Sequence, residues 1–199
     1  MRRRTRLASV LAAIGLAASM AMAGTGTARA DVIPPSGNWV EIFNPHLHDQ
    51  RITLCVDDPG GSTSSGTALQ LFRCHGSDSS GAPQRWVFTQ DEDGNGNLVY
   101  DHGTPVYFIY NLGGGWCLNL SNQGLLPGRP VVLGTCSQSL IYGWEIHATG
   151  SQAGPDFQLT PTFGPGMCVS ASNSSDRNGT PLVMEPCDST DARQLFNLG

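Results

Sequence analysis

Six cysteines fall in three pairs with a single spacing: Cys55 and Cys74, Cys117 and Cys136, Cys168 and Cys187, each 19 positions apart. One spacing used three times marks an internal repeat, and the repeat extends beyond the cysteines. A glycine lies eleven residues after each first cysteine (Gly66, Gly128, Gly179). An aliphatic lies fourteen after it (Leu69, Val131, Leu182), and another apolar residue sixteen after it (Leu71, Leu133, Met184). A large aromatic follows each second cysteine (Trp86, Trp144, Phe196), and a strand-like run precedes each first one: Trp39 to Phe43, Val106 to Tyr110, Phe157 to Leu159. Apolar residues two apart point to one face of a strand. The glycine just before them supplies a turn, and the aromatic brings large apolar area. Long amphipathic helical patterns are absent after residue 30, and Gly, Pro, Ser, Asn and Asp clusters punctuate short apolar runs. The chain therefore reads as all-β. One such unit is too small to bury its own face, so three must close on one another.

The first 30 residues read as a secretory signal and not as part of the fold. Arg2, Arg3, Arg4 and Arg6 precede an apolar stretch from Leu7 to Ala23, and Ala28-Arg29-Ala30 is a small-x-small cleavage site before Asp31. Ser9, Gly15 and Ser19 interrupt the stretch, which argues against a membrane anchor. The arginine run also fits a twin-arginine signal, and the export route stays open. Residues 31–36 read as a short tail and 37–199 as one domain, with repeats at about 37–104, 105–154 and 155–199. Of the 11 basic residues five lie in the leader, leaving six Arg against 16 acids and a formal charge of −10. That balance disfavours nucleic acid as a partner, and no second apolar segment offers membrane insertion. An even cysteine count in an exported chain points to disulfides, with 15 pairings open in principle.

Cys55-Val56-Asp57, then Gly66, then Leu69-Gln70-Leu71-Phe72-Arg73-Cys74, then Gln84-Arg85-Trp86 resembles the repeat of the ricin B-chain type β-trefoil lectins. The likeness covers about residues 37–199. Its Q-x-W element is complete in the first repeat, while the second has Tyr142-Gly143-Trp144 and the third Gln194-Leu195-Phe196. The resemblance implies a β-trefoil of twelve strands in three four-stranded units. It also implies one disulfide within each repeat, joining Cys55 to Cys74, Cys117 to Cys136 and Cys168 to Cys187.

A sugar site of this family uses four elements. They are an acid two after the first cysteine, a glutamine four before the second, an aromatic two before the second, and an asparagine ahead of Q-x-W. The first repeat has Asp57, Gln70 and Phe72, with Pro83 in the fourth place. His75 or Asp78 in the neighbouring loop is the candidate substitute. A carboxylate accepts charge-assisted hydrogen bonds from hydroxyls, and a ring offers flat apolar area to a pyranose. The bland reading makes Asp57 a turn residue before Pro59-Gly60-Gly61 and Phe72 a core aromatic. The second repeat has Asn119, Val132, Gly134 and Ile141, and the third Ser170, Val183, Glu185 and Arg193, with no ring in either. Both are expected to be structural only.

Asp91-Glu92-Asp93-Gly94-Asn95-Gly96 matches the first half of a calcium loop, which makes Asp91, Asp93 and Asn95 weak Ca²⁺ candidates. His102 stands where the bidentate Glu belongs, so a solvated hairpin loop with Asn-Gly turn chemistry is expected instead, and no cofactor. His46 and His48 are placed on a surface loop. No catalytic motif is present, and the repeat uses the chain to Phe196. The expectation is a secreted, non-catalytic carbohydrate-binding protein that takes galactose- or xylose-type glycans, alone or as a polysaccharide, mainly through repeat 1. The alternative is a trefoil scaffold for protein contacts, such as a receptor-binding subunit of a toxin or an inhibitor, with an enzyme or toxin subunit as partner and loop 91–103 as its surface.

Overall fold

A computed structural model of the 199-residue chain describes residues 37–49, 51–76, 79–121, 125–136, 143–149, 156–164, 166–172 and 177–199. The expected signal peptide and tail, Asp78, Ile141 and Tyr142 lie outside the described residues.

Each repeat contributes four strands. The first has β1 (Trp39–Asp49), β2 (Ile52–Asp57), β3 (Gln70–Arg73) and β4 (Arg85–Gln90). A short hairpin, β5 (Tyr100–Asp101) with β6 (Thr104–Pro105), lies between the first and second repeats. The second repeat has β7 (Tyr107–Asn111), β8 (Cys117–Leu120), β9 (Val131–Gly134) and β10 (Trp144–Ala148). The third has β11 (Phe157–Pro161), β12 (Met167–Ala171), β13 (Thr180–Pro186) and β14 (Asn197–Leu198).

The outer strands of the three units form a closed barrel. β1 pairs with β4, β4 with β7, β7 with β10, β10 with β11, and β14 with β1. The ring closes between Phe157 and Phe196, whose backbones exchange two hydrogen bonds of 2.9 Å. Closure leaves no open sheet edge in this ring.

The inner strands form three hairpins, β2–β3, β8–β9 and β12–β13, all in one register. Cys55 stands opposite Phe72, Cys117 opposite Gly134, and Cys168 opposite Glu185. Each hairpin carries its own disulfide, so the within-repeat pairing is the observed one. Loop closure of this length stabilises each unit by about 3 kcal/mol on chain-entropy grounds.

The three repeated glycines join the hairpins into a ring. Gly66 N–H donates to Leu133 O (2.7 Å), Gly128 N–H to Met184 O (2.8 Å) and Gly179 N–H to Leu71 O (2.8 Å). Each unit thus bonds the next, and the third bonds the first. The three glycines have φ of 88°, 78° and 87°, a region where any other side chain is strained. The aliphatics that follow fill the centre: Leu69, Val131, Leu182, Leu71, Leu133 and Met184 are fully buried. Trp86 and Trp144 are buried beneath them, each indole N–H bonding a backbone carbonyl at 2.9 Å, Val56 O and Leu118 O respectively. Phe196 takes the third place.

Two segments differ from the sequence expectation. His46 and His48 lie on β1 and not on a loop, because Asn44 makes a bulge there possible. Asn44 is fully buried, and its side-chain oxygen accepts the N–H groups of His46 and Leu47 (2.9 and 2.8 Å) while its amide donates to Ala192 O. The extra strand length puts His46 Nε2 2.9 Å from Asp156 Oδ2. The second difference is the β5–β6 hairpin, two strands beyond the trefoil's twelve. Among the described residues no helix is long and apolar enough to cross a membrane.

Candidate functional site

The register of β2 on β3 sets Asp57 opposite Gln70. Gln70 Nε2 donates to Asp57 Oδ2 at 2.8 Å. Gln84, at the end of the 3-10 turn Ser79–Gln84, donates through Nε2 to Asp57 Oδ1 at 3.1 Å. Each carboxylate oxygen therefore holds one amide N–H. A carboxylate has about four acceptor sites, so both oxygens keep capacity for a hydroxyl. Two amides also fix the orientation of the group. Asp57 is 6% exposed, Gln70 and Phe72 are half-buried, and the His75 ring lies 5.8 Å from the Phe72 ring at an interplanar angle of 30°. Carboxylate, glutamine and two neighbouring rings from the sequence expectation are thus gathered around one hairpin.

Gln84 is the residue whose part in the site the sequence reading missed. Its Oε1 accepts His75 N–H (2.8 Å), and its Nε2 also reaches Arg73 O (2.9 Å), so one side chain ties the loop after Cys74 to the carboxylate. The signal in the sequence was the glutamine repeated at the matching position of repeat 3, Gln194. There Gln194 accepts Asp188 N–H (2.8 Å) and donates to Pro186 O (2.8 Å), the same two bonds at the same places. Pro83 offers only its carbonyl, which accepts Asp58 N–H (3.1 Å) and Asn111 Nδ2 (2.9 Å). It has no side-chain group to give a sugar.

Asp58 is a second carboxylate beside the first. It is fully buried, and neither side-chain oxygen has a hydrogen-bond partner. Burial, helped by the Asp57 charge, pushes its pKa up from an ordinary value of 3.8 to about 6; the Ser62 backbone, near it without forming a full hydrogen bond, opposes the rise. Gly114 covers it: a Cβ there would stand 3.1 Å from Asp58 Oδ2 and 2.2 Å from Ser62 O.

The equivalent positions of the other repeats are spent internally. In repeat 2, Asn119 and Val132 are opposed as Asp57 and Gln70 are. Asn119 Oδ1 accepts Leu120 N–H (2.7 Å), and its amide points to Thr135 O (3.3 Å). A Cβ on Gly134 would lie 2.6–2.8 Å from the Asn119 side chain, so that side chain occupies the place where repeat 1 has its ring. In repeat 3, Ser170 is fully buried and donates to Ala171 O (3.1 Å), while Arg193 Nε bonds Asp191 Oδ1 at 3.0 Å.

The acidic loop builds a turn. Asp93 Oδ1 accepts the N–H groups of Asn95 (2.8 Å) and Asn97 (2.9 Å), and Asn97 Nδ2 bonds Oδ2 (3.0 Å). These bonds, the Asn97 side chain foremost, hold the Asp93 carboxyl below its ordinary pKa. Asp91 is buried, which raises its own. Among the described residues, the one group of three His, Cys, Asp or Glu side chains within reach of a single ion is Glu41 with Cys55 and Cys74, and those two sulfurs form a disulfide.

The sequence profile of the ricin-type β-trefoil lectin domain matches residues 43–196, and the chain belongs to that family. No curated protein matches the sequence significantly. Among solved structures the fold is similar to the Rhizoctonia solani agglutinin (20% identity, 83% of this chain and 96% of that one, TM-score 0.61). It is similar to the Macrolepiota procera ricin B-like lectin in complex with lactose (16% identity, 82% and 96%, TM-score 0.58). It is also similar to cytolethal distending toxin from Actinobacillus actinomycetemcomitans (15% identity, 81% and 90%, TM-score 0.59). Membership of a lectin-domain family supports carbohydrate binding in general, and the three disulfides suit an extracellular protein.

Proposed function

We propose that this is an exported, non-catalytic lectin, residues 31–199 after loss of a leader, that binds galactose- or xylose-type glycans mainly through repeat 1. The observation that carries the reading is Asp57, held at both oxygens by Gln70 and Gln84 with Phe72 beside it. Asp57 accepts vicinal hydroxyls, and Phe72 stacks on the apolar face of the ring. His75 takes the place left by Pro83: its N–H bonds the same Gln84 that holds Asp57, and its ring neighbours that of Phe72. Nothing in the proposal calls for Ca²⁺ or another cofactor.

A glycan array of wild type and Asp57→Ala tests the reading. Binding that disappears in the variant supports it. Absence of binding to every glycan in the wild type overturns it and leaves the protein-scaffold alternative, which the internal use of the repeat 2 and repeat 3 positions favours.

A further inference from the structure

The outer face of the barrel carries an aromatic row next to repeat 1. Trp39 on β1 stands opposite Val87 on β4, and Val87 opposite Tyr110 on β7. Residues directly opposite in a sheet share a face, and Val40 and Trp86, one position along, face the core. Trp39 and Tyr110 remain 41% and 36% exposed, although large aromatics usually find cover. With strands about 4.8 Å apart, the two residues are roughly 10 Å from one another. The Arg85 guanidinium lies 4.3 Å over the Trp39 ring and adds hydrogen-bond donors to it.

This row is tied to the candidate site through β4. Arg85 directly follows Gln84, which bonds Asp57, and its carbonyl accepts Leu112 N–H (2.9 Å) two residues from Tyr110. The link from Asp57 to Arg85 and Trp39 thus runs beneath the surface, through the fully buried Gln84.

The exposed area distinguishes the occupant. Aromatics offer roughly 150–250 Å² each when fully covered, so two rings exposed to this extent provide on the order of 150 Å². A stable protein partner needs about 800 Å² per side. Two flat rings two strands apart, with a guanidinium stacked over one of them, suit the alternating apolar faces and hydroxyls of an extended sugar chain.

We propose that Trp39 and Tyr110, with Arg85, are a remote subsite for the glycan held by repeat 1, so that the ligand is a linear oligosaccharide and not a single terminal sugar. The inference rests on the reading of repeat 1 as a sugar site.

Calorimetric titration with xylose, galactose, xylohexaose and a linear galactan hexasaccharide tests it. Wild type is expected to bind one of the hexasaccharides about tenfold more tightly than the matching monosaccharide, a gain typical of one added aromatic contact. Trp39→Ala removes that gain and leaves monosaccharide binding unchanged, Trp39→Phe keeps most of it, and Asp57→Ala loses the monosaccharide. A wild type that shows no gain with chain length, or a Trp39→Ala protein that keeps it, overturns the subsite while repeat 1 stands. Monosaccharide binding that survives Asp57→Ala overturns repeat 1 instead. Sedimentation that shows a wild-type dimer abolished by Trp39→Ala assigns the row to a second copy of this chain and also overturns the proposal. Unfolding midpoints of the variants verify that each is folded.

Discussion

Opposite Cys55 stands Phe72, and opposite Cys117 stands Gly134. The backbones around them agree: same register, same disulfide, same glycine bonded to the next unit. The side chains do not. In repeat 1 a carboxylate is held from the sides and a half-buried ring stands next to it. In repeat 2 the corresponding asparagine closes onto its own strand and fills the ring's place. The lesson is that the closure of a trefoil constrains the inward positions of all three units together, while each outward position answers only to its own hairpin. Three units can agree in structure and differ in function without cost to the fold.

The largest expected effect tests the agreement. Trp86→Ala and Trp144→Ala should each cost about 3–5 kcal/mol in urea unfolding, since both delete a buried indole of the same core. A large inequality between them would break the equivalence of the two units.

The next tests a difference. Asp58 has a raised pKa in the folded protein, so its contribution is a destabilisation that is absent below the unfolded value near 3.8, grows with rising pH and is complete above about 6. Asp58→Asn should therefore stabilise the protein by about 1–3 kcal/mol at pH 8 and change little at pH 3.5, read from thermal melts at the two pH values.

A smaller pair contrasts the ring positions directly. Gly134→Ala should cost about 1–3 kcal/mol, because its new Cβ meets the Cβ and amide of Asn119. Phe72→Ala, at a half-buried site, should cost about 1 kcal/mol and abolish sugar binding. Gln84→Ala and Gln194→Ala should cost about 1 kcal/mol each from lost hydrogen bonds. Only the first should also weaken sugar binding, because only Gln84 reaches a carboxylate in a candidate site.

The frame was legible because its requirements repeat. Disulfide spacing, a positive-φ glycine and two buried aliphatics recur at fixed offsets, and each reports a local need of the hairpin. What stayed hidden was tertiary. Nothing near Asn44 in the chain shows that its side chain supports a bulge, which is why His46 and His48 read as loop. The partnership of Gln84 with Asp57 spans 27 residues and depends on where the 3-10 turn delivers the glutamine. Nothing in the sequence around Asp58 shows that it is buried, with Gly114 from another unit packed against it. The aromatic row exists only through the pairing of β1, β4 and β7.

The central claim is that of three hairpins with the same backbone only that of repeat 1 is a sugar site. Calorimetric stoichiometry with whichever monosaccharide the array selects measures this directly. One sugar per chain, lost in Asp57→Ala and retained in Asn119→Ala, is the predicted result. Two or three sugars per chain, or one that survives Asp57→Ala, would contradict it.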